Sequence, residues 1–277
     1  MRTIIPSYNR HETIRTHKLF PPDSTTIVLS NQEQFDLYSK NDSLEGYNIV
    51  VSGIVGNLAK KRQWILDNLV EEDEWITMAD DNIRKYRCIS MPWYDMPELD
   101  EEGITKEVDI SSAQGLAVFA ETLHEADKRG AKFCGFRSNS NPFFGRRKWS
   151  DVSYISTKLC LIKKDSRIKF DPEFPMRDEV LFTAEHLKLF GRVLVNKYLF
   201  PGAPHYEKGG LGSLDSRLQR RREECLKLMD KYPNLFRWKK NKSTPEGSDI
   251  QLRLHSVKQV EQWKQQMENQ LSLFPEI

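Results

Sequence analysis

An α/β fold built on a mostly parallel sheet is what this sequence predicts, on three observations. Short β-branched runs alternate with amphipathic segments through the first third of the chain. Those runs end in polar or turn-forming residues (Pro6, Ser30, Gly53, Asp80), and in parallel sheets such ends gather at one ligand-binding edge. The 277 residues, 38% hydrophobic and 10% aromatic, suffice to bury a core and exclude global disorder.

The elements follow in order. "RTIIPS" is a strand closed by Pro6, "TTIVLS" a second with a helix from Asn31 behind it, and "YNIVVSG" a third ending at Gly53. "NLAKKRQWILDNLV" puts Leu58, Arg62, Ile65 and Leu69 near one face of a helix and its lysines on another. "EWITMA" is the fourth strand. "SAQGLAVFAETLHEADKRGA" is a helix, because Leu116, Phe119, Leu123 and Ala126 recur at helical spacing. "FCGFRS" and "TKLCLIKKD" read as strands, "RDEVLFTAEHLKLFG" as a helix closed by Gly191, and "RVLVNKYLF" as one strand. From Ser213 the character changes to charged helices joined by a polar segment, so the expected division is an α/β unit over 1–212 and a C-terminal helical extension over 213–277.

Charge is nearly balanced, with 42 basic and 40 acidic residues, which does not by itself announce a nucleic-acid protein. The distribution is uneven: Glu98 to Glu107 is acidic, whereas "FRSNSNPFFGRRKW" and "RLQRRREE" are basic islands. Cys88, Cys134, Cys160 and Cys225 are scattered without metal-ligand spacing, which argues for a reducing compartment rather than a disulfide framework. The start shows no signal segment and no stretch is long and apolar enough to span a bilayer, so a soluble cytoplasmic protein with no membrane partner is expected.

The chemistry concentrates at the end of the fourth strand. An apolar run stops at Asp80, Asp81 and Asn82, and two adjacent, partly desolvated carboxylates would repel each other. A hard divalent cation removes that repulsion and prefers oxygen ligands of this type. The bland alternative is a capped turn, since Asp and Asn favour strand ends. Further along, Asp178 and Glu179 open a helix, where acids suit the dipole or serve as a general base.

In order and spacing, "IIPSYNR", "DDNI", "RDE" and the downstream His of "PHYEKGGLG" together resemble the GT-A fold of nucleotide-sugar glycosyltransferases, over about residues 3 to 212. The resemblance implies a Rossmann-like, mostly parallel sheet flanked by helices. It implies a Mn²⁺ or Mg²⁺ ion between the phosphates of a UDP-sugar, with UDP-glucose the favoured donor. Asp81 and His205 would hold the ion, with Asp80 on the ribose or on a metal-bound water. Asp178 or Glu179 would be the base of an inverting transfer, Asp178 being favoured. Pro6, Ser7, Tyr8 and Arg10 would line the nucleoside pocket. Lys60, Arg62, Lys208, Gly209 and Gly210 would meet the diphosphate.

The acceptor is less determined. The same layout resembles the TET-associated glycosyltransferases of phages and eukaryotes, which implies a modified DNA pyrimidine such as 5-hydroxymethylcytosine and, for a phage protein, the host cytoplasm. Arg137, Arg146, Arg147 and Lys148, interleaved with Phe136, Phe143, Phe144 and Trp149, offer cations for phosphates beside planar groups for a flipped base. A carbohydrate, lipid or protein acceptor is the alternative, and a non-catalytic scaffold a further one. A pyrophosphorylase is disfavoured, because "IPSYNRHET" carries no glycine for a phosphate loop.

Overall fold

The computed structural model describes residues 1–89, 107–139, 141, 147–203, 214–239 and 249–272. His205, Lys208, Gly209, Gly210, Arg146, Phe143 and Phe144, with most of the acidic run, lie outside the described residues.

Eight strands form the central sheet. Four come from the first third: β1 (Arg2–Pro6), β2 (Thr25–Leu29), β3 (Asn48–Val51) and β4 (Trp75–Ala79). Two short strands, β5 (Lys85–Ile89) and β6 (Glu107–Ile110), lie outside this sheet; β7 (Phe133–Phe136), β8 (Trp149–Ser150), β9 (Leu159–Lys163) and β10 (Leu194–Asn196) complete it. The order is β3-β2-β1-β4-β9-β7-β10-β8. β1 pairs in parallel with β2 and β4, β2 with β3, and β7 with β10. β9 runs against both β4 and β7, and β8 against β10, so six of the eight strands point one way. The expected α/β architecture with a mostly parallel sheet is the one observed. Because β1 to β4 are mutually parallel, Pro6, Ser30 and Asp80 do end at one edge.

Alternation along the strands builds two cores. Ile4, Val28, Ile76 and Met78 face α2 (Leu58–Leu69) and α4 (Asp178–Phe190). Their neighbours Ile5 and Ala79, with Leu159 and Leu161, face α3 (Ser112–Arg129). A smaller cluster gathers Ile27, Leu29 and Tyr38 under α1 (Gln32–Tyr38). This period-two division is what a sheet covered on both faces requires. α3 begins with a Ser111–Gln114 capping box and ends at Gly130 with φ +73°, the start and stop signals its sequence advertises.

Two expectations change. "RVLVNKYLF" is two strands, since β11 (Leu199–Gly202) leaves the main sheet to pair with β5, which also pairs β6. Asn196 Oδ1 accepts the Tyr198 amide at 3.0 Å and turns the chain there, a competition with the ladder that asparagine is suited to. The C-terminal segment holds α5 (Leu214–Lys231), α6 (Val257–Ser272) and a hairpin of β12 (Phe236–Trp238) and β13 (Ile250–Leu252) between them. Cys225, Leu228, Tyr232, Leu235, Val260 and Trp263 are buried in the same cluster as Ile4 and Val28, so these elements share the core of the sheet. All four cysteines are buried and free.

Candidate active site

The pair at the end of β4 is split between two environments. Both residues lie just past β4, and their side chains bond different partners: Asp81 meets Ser7 and Arg10, Asp80 meets Arg62. The Asp80 amide donates to Lys158 O at 2.8 Å, and the Arg15 amide donates to Asp81 O at 2.9 Å. Thr16 Oγ1 donates to Asp80 O at 2.5 Å while accepting the Ile83 amide at 2.8 Å. Backbone and hydroxyl together pin the acidic turn.

Asp81 looks toward the end of β1. Ser7 Oγ donates to its Oδ2 at 2.6 Å, and Arg10 Nε lies 3.2 Å from Oδ1. The Arg10 amide donates to the Tyr38 hydroxyl at 2.9 Å, and that hydroxyl lies 2.6 Å from Ser7 Oγ. Since Ser7 spends its proton on Asp81, Tyr38 must donate to Ser7, giving a chain that ends on an ionised carboxylate. Burial pushes the Asp81 carboxyl up to about 6, against the opposing bond from Ser7 and charge of Arg10. Lys61 is buried beneath this loop and donates to Ser7 O at 2.9 Å and Ser30 Oγ at 2.7 Å. Its ammonium is lowered to about 8 by burial. Asn9 holds φ +54° and exchanges two bonds with Gln34, at 2.8 and 2.7 Å. Tyr8 is 42% exposed above this framework, with Lys61 Nζ 5.9 Å from its ring.

Asp80 looks the other way, toward α2 and α4. Arg62, 3% exposed, donates through Nη2 to Asp80 Oδ1 at 2.9 Å and through Nη1 to Asp178 Oδ2 at 2.5 Å. Asp178 is buried, whereas the Asp80 side chain keeps 33% exposure and forms the open end of the pair. Glu179 adjoins them, with Thr157 Oγ1 at 3.4 Å and the Tyr154 hydroxyl as partners. Burial raises all three carboxyls, with Arg62 opposing it at each. Three carboxylates around one bonded guanidinium carry surplus negative charge, which a cation would relieve.

The residues expected from sequence are thus brought together in part. Ser7, Arg10 and the Tyr8 backbone meet Asp81, with Pro6 closing β1 just before them; Asp80, Asp178, Glu179 and Arg62 form the second cluster. Arg62 is buried and committed to two carboxylates, and Lys60 is exposed on the helix surface. The cation that sequence reasoning passed over is Lys61, set aside with the outward lysines. Its signal was present: Leu58 and Ile65 stand three before and four after it, on the inner face.

The basic residues assigned to nucleic acid are less available than their spacing suggests. Arg137 is 4% exposed, bonds Glu107 and lies 5.7 Å from the Phe200 ring. Lys148 pairs with Glu121 and lies 5.2 Å from the Trp149 ring. Phe136 is core, packed 4.9 Å from Phe119. Arg147 is exposed.

Hard oxygen donors and surplus charge fit Mg²⁺ or Mn²⁺, and Asn82 Oδ1 is buried with no hydrogen-bond partner among the described residues. Among the described residues, no three His, Cys, Asp or Glu side chains are placed to hold an ion by themselves. A Mg²⁺ ion commonly takes one or two carboxylates and draws the rest of its ligands from water and substrate phosphates.

No protein-family profile and no curated protein matches the chain. Among solved structures it is similar to residues 1–349 of S. aureus TarS, at 13% identity and TM-score 0.48, over 99% of this chain and 73% of that one. The same TarS segment in complex with UDP-GlcNAc gives 14% and 0.46 over the same shares. A UDP-glucose pyrophosphorylase complexed with UDP-glucose gives 9% and 0.38, over 82% of this chain and 98% of that one. Among the described residues, no helix is long and apolar enough to cross a membrane.

Proposed function

We propose that the chain is a metal-dependent glycosyltransferase that takes a UDP-sugar as donor. The observation that carries this reading is the split acidic turn: Asp81 orders the loop after β1, and Asp80 shares an arginine with Asp178 at the start of α4. Ser7, Arg10 and Asp81 fix the loop after β1, and Tyr8 offers an exposed ring on which a nucleobase can stack. Asp80, at the open end, is the carboxylate that would hold the ion. The bound ion would supply positive charge for the leaving diphosphate. This exchanges the parts expected from the resemblance, because both oxygens of Asp81 are already engaged. Asp178 is the base for the acceptor hydroxyl and Glu179 its neighbour, so displacement on the face opposite the diphosphate, with inversion, is the expected course.

The expected exchange has a direct check in calorimetry of UDP with and without Mn²⁺. Asp80→Ala should abolish the gain in affinity that Mn²⁺ brings, about tenfold or more. Asp81→Ala should weaken UDP binding whether or not the ion is present. If Asp81→Ala alone removes the Mn²⁺ gain, the ion belongs to Asp81 as first expected.

For the acceptor, a hydroxymethylated DNA pyrimidine rests on the motif resemblance and on exposed Arg147. The test is incubation with Mn²⁺, UDP-glucose and duplexes carrying cytosine or 5-hydroxymethylcytosine, followed by mass analysis of the nucleosides. A hexose added only to the hydroxymethylated base is the expected product. UDP release without a modified nucleoside would retain the donor reading and move the acceptor to a carbohydrate, lipid or protein hydroxyl. Neither product nor UDP release, from UDP-glucose and from other UDP-sugars, would overturn the function.

A further inference from the structure

We infer that Glu224 and Asp249, both from the C-terminal segment, are positioning residues for the acidic turn that opens α4. The inference takes the roles of Asp178 and Glu179 from the transferase reading; the contacts themselves stand apart from it.

α4 has no side-chain cap of its own, because Arg177 occupies the N-cap position. The acceptor is brought from elsewhere: Glu224 on α5, 3% exposed, takes the Met176 amide at 2.9 Å. A carboxylate here satisfies an amide at the helix entrance and opposes its positive end. Just before β13, Asp249 accepts from Arg177 Nη2, and from Arg221 Nη2 at 2.8 Å, with Lys239 Nζ 3.9 Å away. Arg177 is therefore anchored in the interior, 5% exposed, by a residue 72 positions along the chain.

On its other side, Arg177 acts on the reacting end. Its charge favours the ionised forms of both Glu179 and Tyr154, and the Tyr154 hydroxyl bonds Glu179. Because Arg177 is the N-cap residue directly before Asp178, its anchor on Asp249 reaches the acids through the first turn of α4. Arg62 from α2, with Asp80 behind it, holds Asp178 from the opposite side. The first turn of α4 is gripped between β4 and α2 on one flank and the C-terminal segment on the other. The segment after α4 therefore does more than fill the core. It holds the turn that carries Asp178 and Glu179, and displacements of about 1 Å at such a centre cost about a hundredfold in rate.

The test compares Asp249→Asn, Glu224→Gln and the conservative Asp249→Glu in the full chain, with Mn²⁺ and UDP-glucose and release of UDP as readout. Trp263→Phe is the structural control, since Trp263 Nε1 bonds Pro233 O at 2.8 Å within the same segment, away from the α4 entrance. Asp249→Asn and Glu224→Gln should lower kcat about tenfold or more and leave donor KM within about twofold, with Asp249→Glu recovering part of the loss. Trp263→Phe should lower Tm without changing kcat. Hydrogen exchange over residues 174–182 is measured in parallel, and Asp249→Asn should accelerate it. Wild-type kcat in both Asp249→Asn and Glu224→Gln overturns the inference. If the wild-type protein releases no UDP from any UDP-sugar, the transferase reading falls. Exchange then decides alone, and an unchanged rate over 174–182 in Asp249→Asn overturns the positioning role too.

Discussion

In the Asp178→Asn variant, sugar transfer is expected to fall by about 10²–10⁴-fold, the usual contribution of a positioned general base, while donor affinity stays within about twofold. The change is nearly isosteric and keeps an oxygen for Arg62 to bond. Arg62 also retains Asp80 at 2.9 Å, so the cluster is not left with an orphaned cation. What is lost is the ability to accept a proton. Burial raises the Asp178 carboxyl while Arg62 opposes it, which brings the group closer to working pH. The wild-type rate should accordingly decline on acidification at a pH above the ordinary carboxylate range. Glu179 is the internal comparison: it lies beside Asp178 but is engaged by Tyr154 and Thr157. Glu179→Gln should cost less than Asp178→Asn in a single-turnover assay with saturating donor. If Glu179→Gln is the inactive variant and Asp178→Asn turns over, the base is one residue further along.

The parts of the fold legible in the sequence were those governed by local pattern. β1 to β4 and the helices after them announce themselves because both faces of the sheet are covered and the strands are correspondingly apolar. What escaped was set by distant partners. β5 and β6 pair outside the main sheet, and the break between β10 and β11 depends on one asparagine side chain turning back on its own backbone. The β12–β13 hairpin is three residues a side, too short for a periodic signal.

The site follows the same division. That Asp80 and Asp178 belong to one centre was read from the order of motifs, but not that Arg62 joins them. Periodicity placed Arg62 on the inner face, and a cation there was expected to meet a ligand rather than carboxylates of its own chain. Asp80 and Asp81 lie in the turn region past β4, so no strand pattern could show that one would bond Ser7 and the other Arg62. Arg137 and Lys148 show the limit of reading charge from spacing. Their partners Glu107 and Glu121 lie 30 and 27 residues away, and no local pattern reveals that those charges are already taken.

Replacing Arg62 by Met should give the largest stability loss of any single change at this centre, about 3–5 kcal/mol at neutral pH. The side chain is 3% exposed and bonds both Asp80 and Asp178, so its removal leaves two carboxylates without the cation that offsets their desolvation. Methionine fills much of the volume and keeps contact near the Phe170 ring, whose centroid lies 6.0 Å from the guanidinium, so the loss is chiefly electrostatic. The pH dependence distinguishes this from a packing defect. Burial already raises both carboxyls and Arg62 lowers them, so they rise further in the variant. A group raised in the folded state gives stability that is complete below its unfolded value and lost as pH climbs through the folded one. The deficit against wild type should therefore be small in mild acid and full at neutrality, measured by urea unfolding at both. Adding Asp178→Asn to Arg62→Met removes one of the stranded charges, so the double variant should be less destabilised than the sum of the two singles. A loss below about 0.5 kcal/mol at neutral pH, or one equal at both pH values, would mean that Arg62 does not hold the acidic centre together.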